Sequence, residues 1–313
     1  VAEIDGRIKL HPIYPGEKII FLREMSDEDK PPLELEAKEE KHLIQKNNVV
    51  LPVPVSSYLY FDDINQKALF VYNNNTKTIY KVTVADNKLN VQEVGQNNEF
   101  VVAKGIYATT DFILLAENGT PNLQIYDIGN KAVRNIELQG ILTNWVVQGD
   151  ELYYTYGNRL GKFNLKNNEQ RDVLLGDESI DMILLQDKLY ILSAFGSQVE
   201  NSLFMKVDPS ELKVDDFIEL KSNMISILSK GEDDKLYIGR IEREKDLTGE
   251  VKETPKITLI NTKHLAMESN KWEMPYSDES AGYNSHLYML KDGKLSIYPL
   301  NSTDPVQSIH VSG

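Results

Sequence analysis

The chain has 313 residues, including 18 glycines, 12 prolines and no cysteine, and it carries 34 basic against 48 acidic side chains for a net charge of −14. This composition excludes zinc–thiolate and iron–sulfur centres, a cysteine nucleophile and a disulfide scaffold, and the acidic balance opposes nucleic-acid phosphates. At 41% hydrophobic and 26% charged the chain buries a full core without staples, and its longest apolar runs, such as Phe112 to Ala116, are far short of the ~20 residues a membrane helix needs.

One short phrase returns along the chain: a polar turn, then apolar residues that usually include tyrosine or phenylalanine. In chain order it reads Glu17-Lys18-Ile19-Ile20-Phe21, Gln66-Lys67-Ala68-Leu69-Phe70, Asp111-Phe112-Ile113-Leu114 and Asp150-Glu151-Leu152-Tyr153-Tyr154. It continues as Asp187-Lys188-Leu189-Tyr190, Asp234-Lys235-Leu236-Tyr237 and Ser285-His286-Leu287-Tyr288. With Ile20, Leu69, Ile113, Leu152, Leu189, Leu236 and Leu287 as anchors, the spacings are 49, 44, 39, 37, 47 and 51 residues.

Each unit predicts four short strands. A more apolar run precedes the anchor (Trp145-Val146-Val147, Met182 to Leu185, Ile225 to Leu228), and alternating runs follow it (Thr78 to Val82, Leu123 to Ile128, Leu160 to Leu165, Leu203 to Val207, Leu295 to Tyr298). A closing run such as Val133 to Leu138 or Val306 to Val311 completes the unit. Continuous apolar runs mark strands buried on both faces, and period-two alternation marks half-buried ones. An inner buried strand followed by more polar outer strands is what a radial sheet requires. The expectation is an all-β chain, a seven-bladed β-propeller with four antiparallel strands per blade. It forms one domain over residues 1–313, with blades at 1–48, 49–98, 99–140, 141–176, 177–221, 222–275 and 276–313. Residues 33–48 read equally as a helical excursion, which leaves six or eight blades as alternatives.

The phrases Asp187-Lys188-Leu189-Tyr190-Ile191 and Val207-Asp208-Pro209-Ser210-Glu211-Leu212 resemble repeats of the quinoprotein-like and surface-layer-like β-propellers of bacteria, and Ile260 to Leu265 repeats the second half. The resemblance implies an exported or envelope-associated propeller of no assigned chemistry. The Gly-His and Trp-Asp pair of WD40 arrays, the double glycine of kelch repeats and the tryptophan-docking repeat of quinone-cofactor dehydrogenases are absent. A chain starting at Val1 without a basic-then-apolar leader is read as an exported bacterial domain trimmed past its signal, extracellular or lipid-anchored at the envelope.

The acidic pairs Asp62-Asp63, Asp215-Asp216, Asp233-Asp234 and Asp278-Glu279 have the oxygen chemistry to hold a hard cation. For Asp62-Asp63 and Asp233-Asp234, which precede anchor strands, a tight turn is the expected use. The five histidines, His11, His42, His264, His286 and His310, show no single-element ligand spacing. Tyr153, Tyr190, Tyr237 and Tyr288 recur at the blade period, which predicts packing between blades. Two polar stretches interrupt the repeat, Glu24 to Pro32 and Ile241 to Pro255, and both are expected as acid-rich loops between strands two and three.

The leading expectation is a monomeric, non-enzymatic propeller that binds a protein or glycan partner through the loop face around its channel, with no nucleic-acid partner and no transmembrane segment. Trp145, Tyr276, Asp278, Glu279 and Tyr283 are the candidate binding residues, because loops on a rigid scaffold are where binding function sits. No cofactor and no metal ligands are expected under that reading. The second expectation is a lactonase-like hydrolase or lyase with calcium or another divalent cation in the channel mouth.

Overall fold

The structure, a computed structural model, describes residues 19–24, 43–49, 57–62, 68–85, 88–176, 178–195, 201–220, 223–230, 235–245, 249–267, 280–283, 286–292, 294–299 and 304–310. Every regular element among them is a β-strand. β1 (Ile19–Glu24) and β2 (Leu43–Val49) make a two-stranded antiparallel sheet, so residues 43–48 of the ambiguous 33–48 stretch are strand, while 33–42 lie outside the described residues.

Six four-stranded antiparallel sheets follow, each a meander in chain order. The first holds β3 (Ser57–Asp62), β4 (Ala68–Asn73), β5 (Thr78–Ala85) and β6 (Lys88–Gln96). The second holds β7 (Ala103–Ala108), β8 (Phe112–Glu117), β9 (Asn122–Asp127) and β10 (Ala132–Glu137), and the third β11 (Asn144–Gln148), β12 (Glu151–Tyr156), β13 (Arg159–Asn164) and β14 (Gln170–Leu174). The fourth holds β15 (Ser179–Leu185), β16 (Lys188–Phe195), β17 (Asn201–Asp208) and β18 (Lys213–Leu220). The fifth holds β19 (Asn223–Lys230), β20 (Lys235–Lys245), β21 (Val251–Asn261) and β22 (Ala266–Met267), and the sixth β23 (Ser280–Tyr283), β24 (His286–Lys291), β25 (Lys294–Pro299) and β26 (Gln307–His310).

The repeat phrase marks one position. Leu69, Ile113, Leu152, Leu189, Leu236 and Leu287 are each the second residue of the second strand of their sheet, and all are buried. Strand alternation then sends successive side chains to opposite faces. Leu189 and Ile191 pack with Tyr153 and Leu160 of the preceding sheet, while Tyr190 and Leu192 pack with Leu236 and Ile238 of the following one. In the same way Ile113 and Leu115 face Phe70 and Tyr72, and Leu114 and Ala116 face Leu152 and Tyr154. Tyr237 faces Leu287 and Met289. The second to fifth sheets are therefore apolar on both faces and sandwiched between their neighbours, and Tyr153, Tyr190 and Tyr237 are inter-sheet packing residues, as their recurrence predicts.

Turn chemistry explains the second half of the repeat. The turns between strands three and four open on Asp127, Asn164, Asp208 and Asn261, whose Oδ1 atoms accept backbone N–H groups two or three residues on, at 2.8 Å from Asn130, 3.0 Å from Lys166 and Asn167, 2.8 Å from Ser210 and 3.0 Å from Lys263. Four residues after each comes a left-handed residue, Lys131 (φ 53°), Asn168 (φ 62°), Leu212 (φ 54°) and Leu265 (φ 44°). These turns also tie the sheets together. Arg134 reaches from β10 to the Leu165 carbonyl at 2.5 Å and Asn168 Oδ1 at 2.6 Å, Arg171 reaches from β14 to the Ser210 carbonyl, and Lys206 reaches from β17 to the Thr262 carbonyl at 3.4 Å.

Candidate functional site

Meander topology puts the turns between strands two and three at the same end of each sheet as the connection arriving from the preceding sheet. That end is the upper face, and the Asx-capped turns form the lower one. Trp145, second residue of the innermost strand β11, lies near the upper end and pairs with Tyr154. Its indole would stand 3.3 Å from a β-carbon on Gly105 of β7, and it meets Tyr107 edge-on with ring centroids 6.5 Å apart, half-buried against the core between the second and third sheets. Tyr283 ends β23 and pairs with His286. Tyr276, Asp278 and Glu279 lie outside the described residues.

A cluster absent from the sequence-based candidates sits beside Trp145. The Tyr156 hydroxyl at the end of β12 and the Arg159 Nε at the start of β13 both donate to Asp172 Oδ2 on β14. Gln139 Oε1, in the connection from the second sheet, lies 3.3 Å from the same hydroxyl. Arg159 holds the Asp172 carboxyl below the usual carboxylate range and is itself held more firmly protonated. Burial, then the Asp172 carboxylate, pushes the Tyr156 phenol up. Tyr154 stacks on Tyr156 with centroids 5.6 Å apart and an interplanar angle of 23°, and burial pushes its phenol up to about 12. Three strands contribute to this group, so local spacing could not reveal it. The available signal was Gly161 inside the β13 run, since a glycine in a strand marks a close approach. A second such residue is Asp181 on the inner strand β15, which is 1% exposed and accepts the Met182 N–H at 2.9 Å.

The upper face also exposes large apolar side chains on successive sheets. Val102 (55% exposed) precedes β7, Ile141 (50%) precedes β11 and Leu174 (62%) ends β14. From the same end of the fifth sheet rises a structure that corrects the sequence-based reading. Residues 241–245 and 251–255 are strand, not loop. β20 and β21 continue as an antiparallel ladder from Ile241↔Pro255 through Arg243↔Glu253 and Glu244↔Lys252 to Lys245↔Val251. Opposite charges registered across a ladder favour pairing, and they take the place of the apolar alternation that normally announces strands.

Several acids find structural employment. Lys188 Nζ lies 2.7 Å from both Asp208 Oδ2 and Asp215 Oδ2 on the lower face, which ties Asp215 to a cation of the chain itself. Asp187 sits in the tight turn before β16 at φ 57° and accepts Gln148 Nε2 at 2.7 Å. Asp62 ends β3, while Asp63, Asp233 and Asp234 lie outside the described residues, as do His11 and His42. His264, His286 and His310 occupy the β21–β22 turn, the start of β24 and the end of β26. Among the described residues no group of three His, Asp or Glu side chains is placed to hold a metal ion, and no helix is long and apolar enough to cross a membrane.

The same arrangement of sheets occurs in solved structures. The chain matches Hsv2 of Kluyveromyces lactis with a TM-score of 0.52 at 14% identity, covering 78% of this chain and 75% of that one. It matches the Pan2 WD40 domain of Neurospora crassa with a TM-score of 0.53 at 9% identity, covering 80% and 77%. The fold is a β-propeller. The resemblance noted in the repeats thus holds at the level of the propeller fold, and the WD40 likeness is also one of fold, without the Gly-His and Trp-Asp signature. No protein-family profile matches the sequence, and no curated protein matches it either.

Proposed function

We propose that this propeller is a non-catalytic binding protein that engages a protein or glycan partner on its upper face. The observation that carries this reading is the exposure of Val102, Ile141 and Leu174 at the same end of two successive sheets, beside the aromatic group of half-buried Trp145 and Tyr156 and buried Tyr154. Exposed apolar side chains gathered on one face of a rigid scaffold mark interaction surfaces more often than scattered ones do. The β20–β21 hairpin rises at this end and extends the available surface, and Tyr276, Asp278, Glu279 and Tyr283 complete the proposed contact set with Trp145. The seven-blade count is part of the proposal, with β1 and β2 as the core of the seventh blade. So are the exported state, which the resemblance to bacterial envelope propellers supports, and the monomeric state.

The test reads a glycan array and cross-linking in the cell of origin with the wild-type chain and an Ile141→Asp/Leu174→Asp variant. The reading expects a glycan or protein contact that the variant loses at an unchanged unfolding temperature. Contacts of equal strength in both chains, or none in either, would overturn it. Unfolding of metal-stripped protein with calcium, magnesium, manganese or zinc provides the second arm. A cation at a hundred times its Kd adds about 2.7 kcal/mol to the state that binds it. The binding reading expects no such shift, and a shift confined to one cation would instead support a hydrolase or lyase site in the channel mouth.

A further inference from the structure

We infer that Asn118 is a site of spontaneous covalent modification, in which the backbone nitrogen of Gly119 captures the Asn118 side chain and converts it to an aspartyl or isoaspartyl residue. Most asparagines in the turns of this propeller have their carboxamides engaged. Asn73 Oδ1 accepts the N–H groups of Asn75 and Thr76 at 2.8 and 3.1 Å, Asn164 Oδ1 those of Lys166 and Asn167, and Asn97 Oδ1 that of Glu99 at 2.9 Å. Asn168 Oδ1 accepts Arg134, and Asn144 Nδ2 donates to the Ile180 carbonyl at 2.9 Å. An Oδ1 atom that accepts a hydrogen bond holds its carbonyl carbon away from the next peptide nitrogen.

Asn118 differs on each count. It sits exposed in the β8–β9 turn, and its carboxamide makes no hydrogen bond among the described residues. The rest of the turn is held without it, because Glu117 Oε2 takes the Thr120 hydroxyl and the Asn122 carboxamide, each at 2.6 Å. The next residue is glycine at φ 72°, with nothing within 4 Å of where its β-carbon would be, and its N–H donates no backbone hydrogen bond among the described residues. A glycine nitrogen carries no neighbouring side chain to crowd the attack. No other asparagine in the chain precedes a glycine. Asn98 and Asn158 are also exposed, with carboxamides that make no hydrogen bond among the described residues, but they precede Glu99 and Arg159.

The chemistry balances with water and hydroxide as co-reactants. Hydroxide takes the Gly119 amide proton, the nitrogen bonds to Asn118 Cγ, and the Cγ–Nδ2 bond breaks as Nδ2 gains a proton and leaves as ammonia. One water then opens the resulting five-membered imide at either carbonyl. The net change is one water in and one ammonia out, with no electron transfer. A negative charge appears beside Glu117 on the upper face. In the isoaspartyl product the main chain is also one methylene longer, next to the Asn118 N–H that donates to the Val102 carbonyl at 2.9 Å.

The test incubates the folded protein at mildly alkaline pH, maps its peptides by mass and measures released ammonia. The expected result is exchange of NH2 for OH at position 118, as two chromatographic forms, several-fold faster than at Asn98 or Asn158. The Asn118→Gln variant should fold normally and lose the fast phase of ammonia release. Conversion at position 118 no faster than at Asn98 and Asn158, or an undiminished fast phase in Asn118→Gln, would overturn the inference.

Discussion

Tyr154 lies directly across the β12–β13 ladder from Gly161, and its ring fills the space that any β-carbon on that glycine would need. Tyr156 covers Gly140 in the same way, and Tyr126 covers Gly95, where an added β-carbon would come within 2.6 Å of the ring. In each case a small residue lets an aromatic ring lie flat on the sheet, which fixes the ring and directs its hydroxyl. For Tyr154 and Tyr156 the consequence is functional geometry. The two rings stack and present their hydroxyls to Gln170, at 3.3 Å, and to Asp172.

Replacing Gly161 by alanine should therefore cost about 1–3 kcal/mol, as overpacking does, because the fully buried Tyr154 ring rather than a mobile chain end must shift. Truncating Tyr154 in the same chain should recover part of that loss, since the two residues are in contact and their effects cannot add. Urea unfolding of the two single variants and the double variant measures the coupling. Simple additivity would show that the ring does not rest on the glycine.

The anchors carry the second expectation. Leu189 and Leu236 are fully buried between consecutive sheets, and Leu→Ala at either should cost on the order of 2–5 kcal/mol. A loss below about 0.5 kcal/mol, the usual range for surface positions, would place these residues outside the core.

The contrast between these two cases explains what was legible in the sequence. Leu189, Leu236 and their counterparts recur at the period of the sheets and alternate with Tyr190 and Tyr237, so their position within the second strand could be read directly. The β20–β21 ladder could not. Glu242 to Thr254 is polar apart from Leu247, Gly249 and Val251, and its strands show themselves through cross-strand partners such as Arg243 and Glu253 that become visible only once the register is known. The Tyr156, Arg159 and Asp172 group escaped for a related reason, being assembled from three strands. Of the residues proposed for binding from sequence, Trp145 is placed near the upper face, while Tyr276, Asp278 and Glu279 are outside what the structure describes.

The lower face should give the propeller a recognisable pH profile. Lys188, with help from Ser210, holds the Asp208 carboxyl well below the usual range, and Asp208 and Asp215 hold the Lys188 ammonium above its usual value. A depressed carboxyl contributes stability that is present above its unfolded value, about 3.9, and is lost as pH falls toward its folded value. A raised ammonium contributes stability that is present below about 10.4 and is lost as pH rises through its folded value. Lys188→Met should flatten both limbs, and urea midpoints across pH measure the slopes. Unchanged slopes would mean that the ion pairs do not persist in solution.

The hairpin separates stability from binding. Residues 242–245 and 251–254 extend the β20–β21 ladder beyond Ile241↔Pro255, whereas β19 pairs with β20 no further than Ile241, and β22 pairs with β21 only at Ile260 and Asn261. Among the described residues the extension thus pairs with no other strand. Removing Glu242 to Thr254 and joining Ile241 to Pro255 through Asn-Gly supplies a two-residue turn whose twist suits antiparallel strands. The shortened chain should unfold cooperatively within about 1 kcal/mol of the original, since the described inter-sheet cores include none of the residues removed. Under the binding reading it should also lose contact with its glycan or protein partner. A broadened, non-cooperative transition would instead make the hairpin a structural member of the fifth sheet. Full stability with undiminished partner contact would confine the binding surface to Val102, Ile141, Leu174 and the aromatic group beside Trp145.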